Sequence, residues 1–192
     1  LEVMGTLAPD RLREELRLLV DRLIGESKVA LNADESKQIV IDIQNEILGL
    51  GPIEPLLADP TVSDILVNTY KQVYAERGGK LEITPIRFDS DQHLMKVIDK
   101  IVSRVGRRVD ESSPMVDARL ADGSRVNAVI PPLALDGPLL SIRRFRTDRL
   151  GARDLVDRLT LTAPMMEFLS AAVAARLNII VSGGTGAGKT TF

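Results

Sequence analysis

The residues with the clearest chemistry lie near the end of this 192-residue sequence. Residues 183–190 match the pattern Gly-x-x-x-x-Gly-Lys-Ser/Thr, in which glycines let the backbone curl so that several N–H groups point at one phosphate cluster. We therefore predict a phosphate-binding loop, and its candidate residues are Gly183, Gly184, Thr185, Gly186, Ala187, Gly188, Lys189, Thr190 and the adjacent Thr191.

Two side chains of this loop carry the predicted chemistry. Lys189 supplies a positive charge for the β- and γ-phosphates of a nucleotide, which makes it the candidate catalytic residue. The hydroxyl of Thr190 is the candidate Mg²⁺ ligand. The predicted cofactors are ATP and Mg²⁺.

A loop of this type needs a strand before it and a helix after it. Residues 178–182, with Ile179, Ile180 and Val181, predict a buried parallel strand. A helix opening at the loop would add a favourable field for an anion. Helical patterns at residues 152–159 and 163–177 precede the strand, and an arginine-rich stretch at 146–151 reads as a linker.

An acidic Mg²⁺ ligand on a neighbouring strand and a group that positions water are also required for hydrolysis. The sequence ends at Phe192, and no earlier residue can be assigned these roles. We expect this chain to bind nucleotide without turning it over by itself. We also expect the segment from about residue 163 to residue 192 not to be stable in this chain alone, because a buried parallel strand needs neighbouring strands.

The rest of the sequence predicts a helical arm and then an α+β domain. Apolar residues at helical spacing indicate two helices before residue 50. Three strands, one helix from Ser90 to about Val105, and three more strands follow, with Asp122-Gly123 as a hairpin turn. The predicted divisions are 1–50 (arm), 51–147 (α+β N-terminal domain, expected to fold independently) and 148–192 (linker and truncated start of a RecA-like α/β P-loop ATPase domain).

Composition narrows the functional classes. The chain has 27% charged residues, a net charge of −2, no cysteine and 3% aromatic residues, so a disulfide scaffold is excluded and a stacking nucleic-acid interface is disfavoured. His93, the sole histidine, is predicted to face solvent. Arg107 and Arg108 are interpreted as surface residues, with contact to phosphate or lipid as the alternative.

Four stretches of the sequence resemble a known family. Residues 49–57, 63–68, 116–132 and 140–145, the last followed by the loop itself, are similar to the bacterial type II/IV secretion ATPases and, within them, the Flp/Tad pilus assembly ATPases. The resemblance implies an N-terminal α+β domain above a RecA-like domain, with nucleotide bound between them. It also implies a hexameric ring on the cytoplasmic face of the inner membrane, in contact with platform proteins of the export machine, and no specific nucleic acid.

The same resemblance suggests a role for arginines of the α+β domain. In similar ATPases such arginines reach the nucleotide phosphates, and a guanidinium suits this because it stays charged and binds phosphate bidentately. The candidates are Arg119, Arg125 and Arg143; the alternative is that they are solvated residues paired with Asp117 or Asp122. Arg144 follows Arg143 on one strand, so only one of the two should face the nucleotide.

Two other functions stay open at this point. One is a non-catalytic assembly module that recruits partners without turnover. The other is a different P-loop NTPase, such as a nucleic-acid motor. The exported substrate, the partner proteins and the residues beyond Phe192 cannot be read from the sequence.

Overall fold

The structure, a computed structural model, describes residues 9–27, 31–144, 151–184 and 187–189. The chain divides into two units, Leu1–Phe145 and Arg146–Phe192. In chain order, the elements of the first unit are α1 (Pro9–Glu26), α2 (Ala33–Leu48), a 3₁₀ turn (Gly51–Ile53), α3 (Glu54–Ala58), β1 (Val62–Thr69), β2 (Gln72–Arg77), β3 (Lys80–Ile83), α4 (Asp91–Arg104), β4 (Met115–Arg119), β5 (Arg125–Val129) and β6 (Leu139–Arg143). Those of the second unit are α5 (Ala152–Asp157) and α6 (Ala163–Ala174).

The helices α1 and α2 form the predicted arm as an antiparallel pair. A capping box starts α2: the side chain of Asn32 accepts hydrogen bonds from the first turn, and Glu35 Oε2 accepts from the Asn32 N–H at 2.8 Å. The amide of Gln44, near the end of α2, donates to the carbonyl of Arg13 near the start of α1 at 2.9 Å. The two-helix prediction is therefore confirmed.

The C-terminal end of α2 is held by basic side chains of α4. Lys100 Nζ donates to the carbonyls of Glu46 and Ile47 at 3.0 and 2.9 Å, and Arg104 donates to the carbonyl of Leu48 at 3.0 Å. Burial lowers the pKa of Lys100, and the nearby Arg104 charge lowers it further. These contacts satisfy carbonyls that a helix end leaves without intrahelical partners.

Six strands form one antiparallel sheet in the order β3-β2-β1-β6-β5-β4. Side chains alternate between its faces. In β5, Val126 and Ala128 are buried whereas Arg125 is exposed and Asn127 is half-buried. The sheet therefore has one apolar face and one polar, open face.

The apolar face shares a core with α4. Ser90 caps this helix by accepting from the His93 N–H at 3.2 Å, and Gly106 follows its end with φ of +68°. The prediction of a helix between Ser90 and Gly106 is confirmed. The buried residues of α4 are Leu94, Val97, Ile98, Ile101 and Val102, and they join Ile65, Val73, Val126, Leu140 and Ile142 of the sheet.

The prediction that His93 faces solvent is wrong. Its side chain is only 16% exposed and lies between two carboxylates, 3.1 Å from Glu46 Oε2 and 3.3 Å from Asp89 Oδ2. Its ring also packs edge-on against Phe88. The helix α2 covers this side of α4, a tertiary contact that helical periodicity in α4 alone could not reveal.

The prediction of a strand at residues 178–182 is also wrong for this structure. Residues 178–184 have no regular secondary structure, and Ile180 is 93% exposed. A parallel strand exists only through hydrogen bonds to its neighbours, and no strand of the second unit is present among the residues described there. The apolar run therefore identifies a segment suited to pairing, not a strand by itself.

The predicted fold class of the first unit is confirmed: a helical arm precedes an antiparallel α+β domain. The helices α5 and α6 occur where the sequence predicted helical patterns. In the part of the chain that the structure describes, no helix is both long and apolar enough to cross a membrane.

Candidate functional site: an arginine row and a phosphate loop

A tight hairpin between β4 and β5 positions two of the candidate arginines. Two backbone hydrogen bonds close its turn, both at 2.9 Å. The Leu120 N–H donates to the carbonyl of Ser124, and the Gly123 N–H donates to the carbonyl of Leu120. Gly123 has φ of +86°, a left-handed conformation that favours glycine. Asp122 accepts from the backbone N–H and the hydroxyl of Ser124, at 2.9 and 2.8 Å, and thereby stiffens the turn.

Strand register places the three candidate arginines in one row. Arg119 of β4 lies directly opposite Arg125 of β5, and Arg125 lies directly opposite Arg143 of β6. Directly opposed residues of an antiparallel sheet point to the same face, about 5 Å apart at Cβ. All three side chains are exposed. We name Arg119, Arg125 and Arg143 the arginine row.

The arginine row has no ion-pair partner among the residues that the structure describes. In the described residues no ion pair joins these arginines to Asp117 or Asp122, and both carboxylates accept hydrogen bonds from other residues. Asp117 Oδ1 accepts from the amide of Asn127 at 2.9 Å, and Asp122 accepts from Ser124. Like charges directly opposite each other destabilise a sheet, which applies to the pairs Arg119–Arg125 and Arg125–Arg143. Asp64 of β1 lies directly opposite Arg143 and offsets positive charge at that end of the row.

The arginine row lines a concavity of about 780 Å³ on the open face of the sheet. A fourth arginine, Arg107, also borders it, and Asn127 and Ser141 add hydrogen-bonding groups to the wall. Asp117 is its single carboxylate. An open, polar surface with four guanidinium groups suits a multiply charged anion such as a polyphosphate.

Arg144, the neighbour of Arg143, has a structural role. Its guanidinium donates to the carbonyl of Asp59, which follows α3, and to that of Val62 at the start of β1. Its backbone N–H donates to the carbonyl of Ser63 at 2.9 Å. Arg143 lies in register with the row, whereas Arg144 contacts the segment at and before β1. That only one of the two faces a nucleotide stays a prediction. Strand alternation accounts for the difference.

The phosphate loop belongs to the second unit. Lys189 Nζ donates to the carbonyls of Gly183 and Gly184 at 2.7 and 2.5 Å, so the ammonium group closes the loop on itself. Gly188 has φ of +80°, which favours glycine. A Cβ on Gly183 would lie 3.1 Å from Cβ of Ala187, a close approach that glycine avoids. In residues 183, 184 and 187–189 the chain therefore turns back on itself and brings Lys189 next to the two glycine carbonyls.

Other predicted loop residues, Thr185, Gly186, Thr190 and Thr191, lie outside the described residues, and their roles stay predictions. The arginine row and the phosphate loop belong to different units. The three arginines of the row lie side by side in the first unit. In the second unit, Lys189 contacts Gly183 and Gly184 of the phosphate loop.

Sequence reasoning gave phosphate contact by Arg107 only as an alternative and did not place this residue with the arginine row, whose concavity it borders. The signal that could have found it is Gly106, a helix-ending glycine that fixes the direction of the next residue. Among the residues that the structure describes, no group of three or more histidine or acidic side chains could hold a metal ion.

Comparisons with known proteins give the family. The protein-family model described as "Type II/IV secretion system protein" matches residues 46–192 of this chain. A Mycobacterium tuberculosis protein (strain H37Rv), provisionally named as a conjugal transfer protein, is 33% identical over 156 residues, which are 78% of this chain and 44% of that protein. An uncharacterized protein of Methanocaldococcus jannaschii is 36% identical over 150 residues, 74% of this chain and 21% of that protein.

A solved structure agrees with this assignment. The crystal structure of the VirB11 ATPase from the Brucella suis type IV secretion system, in complex with sulphate, aligns with a TM-score of 0.52 and 27% identity, over 73% of this chain and 50% of that chain. The present chain spans less than half the length of the two relatives above. Since the family match covers most of the sequence, this chain belongs to the type II/IV secretion system protein family.

Proposed function

We propose that this chain is part of an ATP-driven motor subunit of a bacterial secretion or type IV pilus assembly machine. The observation that carries the proposal is the pairing, within one chain, of a phosphate loop closed by Lys189 with a row of three arginines that have no ion-pair partner in the described residues. Both groups are suited to phosphate.

The phosphate loop fits a nucleoside triphosphate. Lys189 is already held over the loop by two carbonyls, and exchanging these for phosphate oxygens needs only a small movement of a flexible side chain. Thr190 would hold Mg²⁺ through its hydroxyl, and a bound Mg²⁺ would neutralise charge on the phosphates. Gly183 and Gly188 keep the backbone N–H groups accessible, because a side chain at either position would crowd or strain the loop.

We propose that the arginine row contacts the phosphates of the same nucleotide from the α+β domain. Guanidinium groups bind phosphate through paired N–H donors, and the concavity of about 780 Å³ is large enough for a triphosphate group.

The assembly context is likewise proposed. The family and the resemblance support a homo-hexameric ring, attached peripherally to the cytoplasmic face of the inner membrane and working with platform proteins of an Flp/Tad-type pilus. Export in conjugation is the second candidate, because the M. tuberculosis relative carries a conjugal-transfer name. An assembly module without turnover remains the alternative from a different class.

We propose that the 192-residue chain binds MgATP and that hydrolysis needs the whole protein. Titrating MgATP into the 192-residue chain and into its Lys189→Ala variant should show affinity falling about 10- to 100-fold, because the variant loses charge-assisted bonds to phosphate. Lys80→Ala, at an exposed lysine of β3, is the matched control and should bind like the unchanged chain.

Phosphate release measured on both lengths of protein completes the test. The whole protein should hydrolyse ATP and its Lys189→Ala variant should not. Equal binding by Lys189→Ala and the unchanged chain would exclude the phosphate loop as the nucleotide site. Clear turnover by the 192-residue chain would contradict the proposed division of labour.

A further inference from the structure

Arg107 is fixed in place by the way α4 ends. Gly106 adopts φ of +68° just after the helix. The N–H of Arg107 donates to the carbonyl of Val102, and the N–H of Gly106 donates to the carbonyl of Ser103, both at 3.0 Å. These two bonds form a Schellman motif, a common and well-defined helix ending. The backbone of Arg107 is therefore set by α4 and is independent of any ligand.

The side chain of Arg107 adds positive charge where positive charge is already concentrated. It borders the same concavity as the arginine row, and it forms no ion pair with any residue that the structure describes. Asp117, the single carboxylate of that wall, is hydrogen-bonded to Asn127. A fourth guanidinium beside three others is unfavourable without an anion.

The next residue, Arg108, has a different environment. It does not border the concavity, and its charge acts on Asp110. Hydrogen bonds from Ser112 and Ser113 hold the pKa of Asp110 below its ordinary value, and Arg108 contributes a smaller attraction. Two adjacent arginines of equal charge therefore differ in position: one borders the cationic concavity and the other lies near a carboxylate.

We propose that Arg107 is a fourth phosphate-binding residue, which acts together with the arginine row on a polyphosphate chain. This inference rests on the proposed function of the row. It also gives α4 a part in ligand binding, since the helix end that presents Arg107 is the one whose Lys100 and Arg104 hold the arm.

The test uses the 192-residue chain carrying Lys189→Ala, so that the phosphate loop contributes little. Tripolyphosphate is titrated calorimetrically at low salt into this background and into three further variants, Arg107→Gln, Arg108→Gln and Arg125→Gln. We expect Arg107→Gln and Arg125→Gln to weaken binding about fivefold each, because each removes one exposed charged contact. Arg108→Gln should stay within about twofold, since it removes an equal charge at a greater distance, where salt and solvent screen it.

The outcomes separate the two proposals. Arg125→Gln weakening binding while Arg107→Gln matches Arg108→Gln would overturn the role of Arg107 and leave the arginine row intact. No binding in the background, or no effect of Arg125→Gln, would overturn the row and Arg107 with it. Arg107→Lys should restore only part of the affinity, because lysine keeps the charge but not the forked donor geometry that a direct contact uses. The unfolding midpoints of the Arg107→Gln, Arg107→Lys and Arg108→Gln variants should agree, since the backbone of residue 107 is held by hydrogen bonds at the end of α4.

Discussion

The two units of this chain differ in how completely their apolar residues are covered. In the first unit Ile98, Ile101 and Ile142 are fully buried between α4 and the sheet. In the second unit Phe168 is 71% exposed and Ile180 93%. A few consecutive residues are enough to predict a phosphate loop. The strand expected before it also needs neighbouring strands that cover its apolar side chains, and Ile180 has no such cover in the described residues. An arginine row, in contrast, exists only after a whole sheet has formed.

The same substitution in the two units should therefore have very different effects on stability. Ile98→Ala should lower the free energy of unfolding of the first unit by about 3 kcal/mol, because it leaves a cavity in a closed core. Ile180→Ala should change the free energy of unfolding of the second unit by less than about 0.5 kcal/mol, because the Ile180 side chain is almost fully exposed. Urea unfolding followed by circular dichroism measures both, and equal losses would contradict the contrast between the units.

The loop conformation itself can be tested at Gly188. Gly188→Ala should weaken MgATP binding by about fivefold, because the left-handed φ of +80° costs an alanine roughly 1 kcal/mol. Gly188→Asn should weaken it less, since asparagine tolerates this conformation better. If the asparagine variant bound more weakly than the alanine variant, side-chain bulk and not backbone conformation would be the cause.

The smallest expected effect has the opposite sign. Arg125 is the centre of the row and faces an arginine on each side, so Arg125→Gln should stabilise the first unit by about 0.5 kcal/mol while weakening tripolyphosphate binding. Arg119→Gln should stabilise it less, because Arg119 has one arginine neighbour. Thermal unfolding at low salt measures the gain, and added salt should reduce it by screening. A loss of stability on Arg125→Gln would mean that the row has a structural role.

Local patterns predicted most of the elements correctly. Ser90 and Gly106 mark the two ends of α4, and Asp122 with Gly123 marks the hairpin, because caps and turns depend on residues a few positions apart. The environment of His93 was predicted incorrectly, because the helix α2 that covers it begins about 60 positions earlier in the chain. The strand at residues 178–182 failed for a related reason, since it requires partners that are not local.

The sequence by itself determined the phosphate loop, the helix ends, the hairpin turn and the family resemblance, since each depends on residue types at short, fixed spacing. Tertiary structure alone decided that Arg119, Arg125 and Arg143 form one row, that Arg107 joins their concavity, and that Arg144 instead holds the start of β1. The physical reason is register: strand pairing brings Arg125 and Arg143, which are 18 positions apart, into direct opposition. A shift of one residue would move every side chain of the strand to the other face.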